Sequence, residues 1–131
     1  MARILLVDDD PDIRFVARMA LRKGKHEVVE AQNGREALDW LGRGERCDLV
    51  ICDRMMPVMN GIEVLTALNG PHQAQHLVTS GRFVFLTAKA QASEVDEGLR
   101  LGAAAYLTKP FEPRELLASI DKLLAQPEAV K

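Results

Sequence analysis

Five short runs of large apolar side chains punctuate the chain, at Arg3 to Val7, Glu27 to Ala31, Asp48 to Cys52, Phe83 to Leu86 and Ala104 to Leu107. Their length and their richness in Val, Ile and Leu predict strands. Between them, apolar residues recur at helical spacing: Ile13, Val16, Ala17, Ala20 and Leu21; Ala37, Leu38 and Leu41; Ile62, Leu65 and Leu68; Leu116, Leu117, Ile120, Leu123 and Leu124. Each set lies on one face of a helix. Pro11 and Pro113 fall where a first helical turn tolerates proline, Asn33 followed by Glu36 predicts a capping box, and Gly24 predicts a helix stop. The alternation gives five repeats of strand then helix. Strands buried on both faces and joined by helices pack as a parallel sheet with right-handed crossovers, so the pattern predicts a single doubly wound α/β domain.

Two stretches break the rhythm. The segment Asn69 to Arg82 is a long connection that either extends the third helix or adds a helical turn after Pro71. Its His72 and His76 have a spacing that can bind a metal on a helix, but without an acidic or thiol partner nearby they read as a solvated surface pair. The polar end "QPEAVK" predicts a frayed tail or the start of a linker at 126–131, leaving 1–125 as the domain.

Composition narrows the class without changing it. The chain has 131 residues, 47% hydrophobic and 27% charged, enough for one domain with a proper core. A formal charge of -2 and a pI of about 5.9 provide no polyanion-seeking surface, which disfavours nucleic acid and anionic membranes as direct ligands. No apolar run approaches the ~18 residues of a membrane span. Cys47 and Cys52 form neither a disulfide framework nor a CxxC pair and read as reduced core thiols, so a cytoplasmic location is expected.

Candidate chemistry enters through the sheet. In a parallel sheet the carboxyl ends of all strands share one edge. Here the first strand ends at Asp8 and Asp9, the third at Asp53 in "DLVICDRMMP", the fourth at Thr87 in "FVFLTA" and the fifth at Lys109 in "AYLTKPF". Crowded carboxylates repel by about 4 kcal/mol per pair at a separation of ~4 Å and an effective dielectric of about 20. A compensating cation is required. Mg²⁺ suits hard oxygen ligands and takes carboxylates together with phosphoryl oxygens, and Lys109 supplies a second positive charge. A carboxylate beside both can attack phosphorus and form an aspartyl phosphate, with the Thr87 hydroxyl donating to a phosphoryl oxygen. Asp10, directly before Pro11, is better used as the cap of the first helix, and Asp12 as first-turn charge complementing the helix dipole.

The pieces "LLVDDD", "DLVICDRMMPVMNG", "FLTA" and "YLTKPF", in that order, resemble the response-regulator receiver domain of two-component signalling, over Arg3 to about Leu124. The resemblance implies a flavodoxin-like, five-stranded parallel sheet of order 2-1-3-4-5 with five helices. It implies Asp53 as phosphoacceptor, Asp9 as a direct Mg²⁺ ligand, Asp8 supporting the ion through water, and the Met55 backbone carbonyl as a further ligand, with Mn²⁺ as a substitute metal. Lys109 would pair with the phosphoryl group or Asp53, and its bond to Pro110 would be cis. Thr87 and Tyr106 match the family's switch pair, which reshapes the face formed by the fourth helix, fifth strand and fifth helix. The implied partners are a sensor histidine kinase or phosphotransfer protein and a downstream protein or fused output domain. The domain would be a signalling module rather than an enzyme, catalysing only its own phosphorylation and dephosphorylation.

The residues leave one enzyme reading open. The spacing of Asp8 and Asp10 also fits a haloacid-dehalogenase-type phosphatase with Asp8 as nucleophile and Asp10 as acid/base, although the chain is short for such an enzyme and the "KPF" stretch would go unexplained. Trp40 on the second helix reads as packing, Met55, Met56 and Met59 as loop and packing residues, and Cys52 as an inward-facing thiol without redox function. Val95, Ala105 and Ser119 stand where DNA-binding members of the family place the ion pairs of their dimer, so that dimer is not expected. Met55 and Lys89 flank the phosphoacceptor site without a water-orienting acid, which predicts slow self-dephosphorylation.

Overall fold

A computed structural model describes residues 2–68, 78–88 and 90–126, with residues 78–81 described through their backbone. The elements run β1 (Arg3–Val7), α1 (Pro11–Lys23), β2 (Glu27–Ala31), α2 (Gly34–Gly42), β3 (Cys47–Cys52), α3 (Gly61–Leu68), β4 (Val78–Thr87), α4 (Ala92–Arg100), β5 (Ala105–Thr108) and α5 (Pro113–Ala125). The five strands form one sheet of order β2-β1-β3-β4-β5, with every neighbouring pair parallel. The doubly wound sheet expected from the sequence is therefore present, with its order reversing beside β1.

Strand alternation divides the core into two layers. Ile4 and Leu6 of β1, Leu49 and Ile51 of β3, and Val84 and Leu86 of β4 pack with Ala17, Ala20 and Leu21 of α1 and Leu116 and Ile120 of α5. Their neighbours Leu5, Val7, Val50, Cys52, Phe83 and Phe85 pack on the other face with Ala37 and Leu41 of α2 and Val64, Leu65 and Leu68 of α3. Helix α4 buries only Gly98. This explains why no apolar spacing marks it in the sequence.

Local chemistry fixes where helices begin and end. Asp10 caps α1, its Oδ1 accepting the backbone N–H of Asp12 at 2.9 Å and of Ile13 at 3.4 Å, and Pro11 opens the first turn. Asn33 caps α2 by accepting the Glu36 N–H at 2.9 Å, but the Glu36 carboxylate returns to the N–H of Gln32, not of Asn33, so the box is offset by one residue. Gly24 does end α1, at φ −83, while the left-handed residue is the next one, Lys25, at φ 65. The glycine is required for space: a Cβ there would stand 2.6 Å from Cδ1 of Leu117 on α5.

Three strands depart from their expected bounds. β3 begins at Cys47, one residue earlier, β5 runs Ala105–Thr108, one residue later than expected, and β4 begins at Val78, so the end of the supposed connection 69–82 is strand. Cys47 is level with Val78 but Leu49 with Arg82, so β4 carries extra residues in an irregularity. Bulged pairing of this kind hides the simple strand pattern. His72, His76, Lys89 and residues 127–131, which make up most of the proposed tail, lie outside the described residues.

Candidate phosphoacceptor site

The ends of β1 and β3 are locked by hydrogen bonds that continue the sheet. Asp8 N–H donates to Ala31 O at 3.1 Å and Asp53 N–H to Val7 O at 2.9 Å. Both carboxylates are thereby delivered to one edge of the sheet, and both are buried, Asp8 at 2% and Asp53 at 6% exposure. Asp9 stays exposed. Asp8, Asp9 and Asp53 each offer an oxygen within 4.8 Å of the others.

Lys109 answers the two buried charges. Its Nζ donates to Asp8 Oδ2 at 2.6 Å and to Asp53 Oδ2 at 3.0 Å. The second oxygens are held by backbone: Asp8 Oδ1 accepts from Asp10 N at 2.9 Å and Asp53 Oδ1 from Met55 N at 3.2 Å. Lys109 is itself placed by its backbone N–H, which donates to Thr87 O at 3.0 Å, and is followed by a cis bond to Pro110 as expected. Burial works to lower the Lys109 pKa, but the bonds to Asp8 and Asp53 outweigh it and raise the value. Burial also dominates at Asp8, where it pushes the carboxyl above the ordinary range despite the bonds from Lys109 and the Asp10 N–H, and the Asp53 charge adds to the rise. One ammonium shared between two buried carboxylates leaves negative charge over.

That donor set fits a hard divalent cation. Three carboxylates with oxygens converging, two of them removed from water and served by a single ammonium, match the oxygen ligation of Mg²⁺. Asp8, Asp9 and Asp53 would hold the ion.

Thr87 ends β4 at 1% exposure. Tyr106 on β5 lies away from the carboxylates, against the opposite core layer, with its ring 5.3 Å from that of Phe85. Asp10, needed as an acid in the phosphatase reading, is exposed and engaged as the α1 cap. Trp40 packs against the core layer with α2 and α3, with the Arg3 guanidinium 5.0 Å from its ring centroid. Cys52 is fully buried, and burial drives its thiol pKa well upward, with the Asp53 charge second.

Sequence reasoning missed three supports. Arg14 Nη1 donates to the Asp8 carbonyl at 2.6 Å while its Nε reaches Glu30 at 3.2 Å, and Arg18 pairs with the same glutamate. The parallel register that sets Leu6 level with Glu30 was the available signal. Arg54 turns from the acidic edge toward α4, where it pairs with Glu97. Gly61 lets the chain close over Asp53, since a Cβ there would stand 2.4 Å from Asp53 O and 2.9 Å from Arg54 Cα.

Fold and site together define a doubly wound α/β domain with an acidic, lysine-bridged edge at the carboxyl ends of its strands. A family model described as the response regulator receiver domain matches residues 4–121, and the chain belongs to that family, which serves two-component signalling. It is 41% identical over 126 residues to the transcriptional regulatory protein CpxR of Escherichia coli (strain K12), covering 95% of this chain and 50% of that protein. It is 36% identical over 126 residues to the transcriptional regulatory protein SrrA of Staphylococcus aureus (strain NCTC 8325 / PS 47), covering 96% and 49%. The chain thus spans about half the length of these curated relatives. Among solved structures, chemotaxis protein CheY4 of Vibrio cholerae matches with a TM-score of 0.82 and 34% identity over 94% of this chain and 98% of that one. The non-phosphorylated HemR receiver domain of Leptospira biflexa matches with a TM-score of 0.83 and 30% identity over the whole of both chains. Among the described residues, no helix is long and apolar enough to cross a membrane.

Proposed function

We propose that Asp53 accepts a phosphoryl group from the phosphohistidine of a sensor kinase or phosphotransfer protein, and that the face of α4, β5 and α5 changes in response to control a partner or fused output domain. An Asp53 oxygen attacks phosphorus, the P–N bond breaks, and the electron pair leaves with the imidazole nitrogen, which takes up a proton. Mg²⁺, or Mn²⁺ in its place, supplies charge neutralisation for the phosphoryl oxygens when bound. Asp8, Asp9 and Asp53 would hold that cation, joined by the Met55 carbonyl, while Lys109 exchanges a carboxylate oxygen for a phosphoryl oxygen. Thr87, one strand over, donates its hydroxyl to the new phosphate, and Tyr106 follows on the α4 side.

The observation that carries this reading is the Lys109 ammonium bonded to both Asp8 and Asp53 beside the converging Asp9. It supplies the nucleophile, the cation site and a phosphate-binding cation in one cluster, the combination that phosphoryl transfer requires. Incubation with a small-molecule acyl phosphate, with and without Mg²⁺, followed by intact-mass measurement and peptide mapping tests it. A single added phosphoryl group on Asp53, dependent on Mg²⁺ and absent in Asp53→Asn, is the expected result. Label on Asp8 would overturn it in favour of the phosphatase-like chemistry.

Slow loss of the phosphoryl group is expected, because the exposed Met55 side chain beside the site brings no acid or base to orient water. A half-life of seconds in buffer would contradict that expectation. Nothing in the proposal requires this chain to touch DNA, even though its relatives CpxR and SrrA are transcriptional regulators.

A further inference from the structure

Helix α4 has little apolar burial of its own, with Gly98 its single buried residue, so something else must seat it on the sheet. Arg54, the residue immediately after Asp53, does so. Its backbone is fixed where its carbonyl accepts the Gly61 N–H at 2.9 Å. Its guanidinium reaches across to α4, where Nη1 donates to Glu94 O at 3.0 Å and Nη2 pairs with the Glu97 carboxylate. The same guanidinium also donates to the Tyr106 hydroxyl oxygen. The Tyr106 ring in turn lies over Gly98, where a Cβ would stand 3.0 Å from two ring carbons. The Arg54 side chain is 13% exposed and that of Glu97 53%, so the clasp is partly sheltered from water.

We propose that Arg54 is a positioning residue that clasps α4 and Tyr106 to the backbone beside Asp53, and so holds the output face in the arrangement where Lys109 bridges both carboxylates. The inference rests on the phosphoacceptor reading and deepens it by naming a brake on the switch. The reasoning is one of linkage. A bond made in one arrangement and broken in the other resists the change, and a ligand that favours the second arrangement must overcome it. Arginine suits the task because its fork can serve a carbonyl and a carboxylate together, which a lysine cannot reproduce. No contact with the reacting atoms is involved, so the residue acts through α4 and Tyr106 alone.

The test uses the whole chain with beryllofluoride and Mg²⁺ as the phosphoryl mimic, titrated calorimetrically, and amide hydrogen exchange over residues 92–100. Three variants are compared with the parent: Arg54→Gln, Arg54→Lys and Glu97→Gln. The Glu97 change is at a half-exposed position and leaves the core untouched. Each variant is expected to bind the mimic about two- to fivefold more tightly, the range that a partly exposed ion pair can supply, and to exchange faster over α4 without the mimic. Arg54→Gln and Glu97→Gln combined should gain little beyond either alone. A purely structural role would loosen α4 and leave mimic affinity unchanged or weaker, and that result overturns the proposal. Failure of the parent chain to bind the mimic would overturn the phosphoacceptor reading instead, and the coupling with it, so the two failures are told apart by which protein fails.

Discussion

The ammonium of Lys109 donates to the carboxylate of Asp53 at 3.0 Å across 56 residues of sequence, and the contact closes the site between β3 and the turn after β5. The same ammonium holds Asp8, so its removal strands two buried carboxylates at once.

Lys109→Met is therefore expected to destabilise the protein at neutral pH by about 3 kcal/mol, the scale of breaking a buried ion pair from one side. Mg²⁺ should restore part of the loss by serving the orphaned oxygens. Urea titrations with and without the metal check both statements, and a variant as stable as the parent would show that solvent already screens the carboxylates.

Gly61→Ala should cost about 1–3 kcal/mol, since the new methyl meets backbone at Asp53 and Arg54, which has less room to give than a side-chain tip. Because the strain falls on the peptide of Asp53, the proposed phosphoacceptor, its labelling should slow as well. Thermal melts alongside labelling time courses would separate the two effects. Full labelling speed with a lowered melting temperature would place the strain elsewhere.

Burial pushes the Cys47 thiol up to about 12, with the Asp48 charge adding to it, and raises the Cys52 thiol in the same direction. The folded value lies above the unfolded one, so the neutral thiol stabilises the fold fully below the unfolded pKa near 9.0 and that contribution is lost as pH rises toward about 12. Stability should decline above pH ~9 with a slope approaching about 1.4 kcal/mol per pH unit for each thiol, and Cys47→Ala should flatten that decline. Native protein at neutral pH should also resist alkylation at both cysteines, whereas rapid labelling would contradict their enclosure.

Lys25 carries a left-handed backbone at φ 65 just after α1, an unfavourable place for a side chain. Lys25→Gly should raise stability by about 0.5–1 kcal/mol, read from chemical denaturation, with no change in Asp53 labelling. Gly24→Ala beside it should do the opposite by pressing on Leu117.

How much of this was legible in the sequence depended on whether a residue's neighbours were local. β1 and β2 could be bounded from their apolar runs alone, and Asp10 could be given to the α1 cap because Pro11 follows it. The meeting of Asp8, Asp53 and Lys109 followed from parallel topology, which sends every strand end to one edge. What escaped were long-range side-chain partnerships. Arg54 and Glu97 are 43 residues apart, on a helix whose seating is polar rather than apolar, so hydrophobic periodicity carries no trace of it. The early start of β4 was hidden by its irregular pairing with β3, and the offset of the α2 box by a glutamate that reaches one residue further back than the motif suggests.

The two-layered core has one more consequence. Ile4, Leu6 and Asp8 keep one phase of the pleat, as do Leu49, Ile51 and Asp53, and Ala105, Leu107 and Lys109, all in step with the layer beneath α1 and α5. Thr87 keeps the other phase, with Phe83 and Phe85, as does Tyr106 across on β5, toward α4. The sheet is thus a partition wall, with Asp8, Asp53 and Lys109 in step with one side and Thr87 and Tyr106 with the other. Loss of a single residue within β1 or β3 would throw a carboxylate through the wall, so the strands here behave like a reading frame.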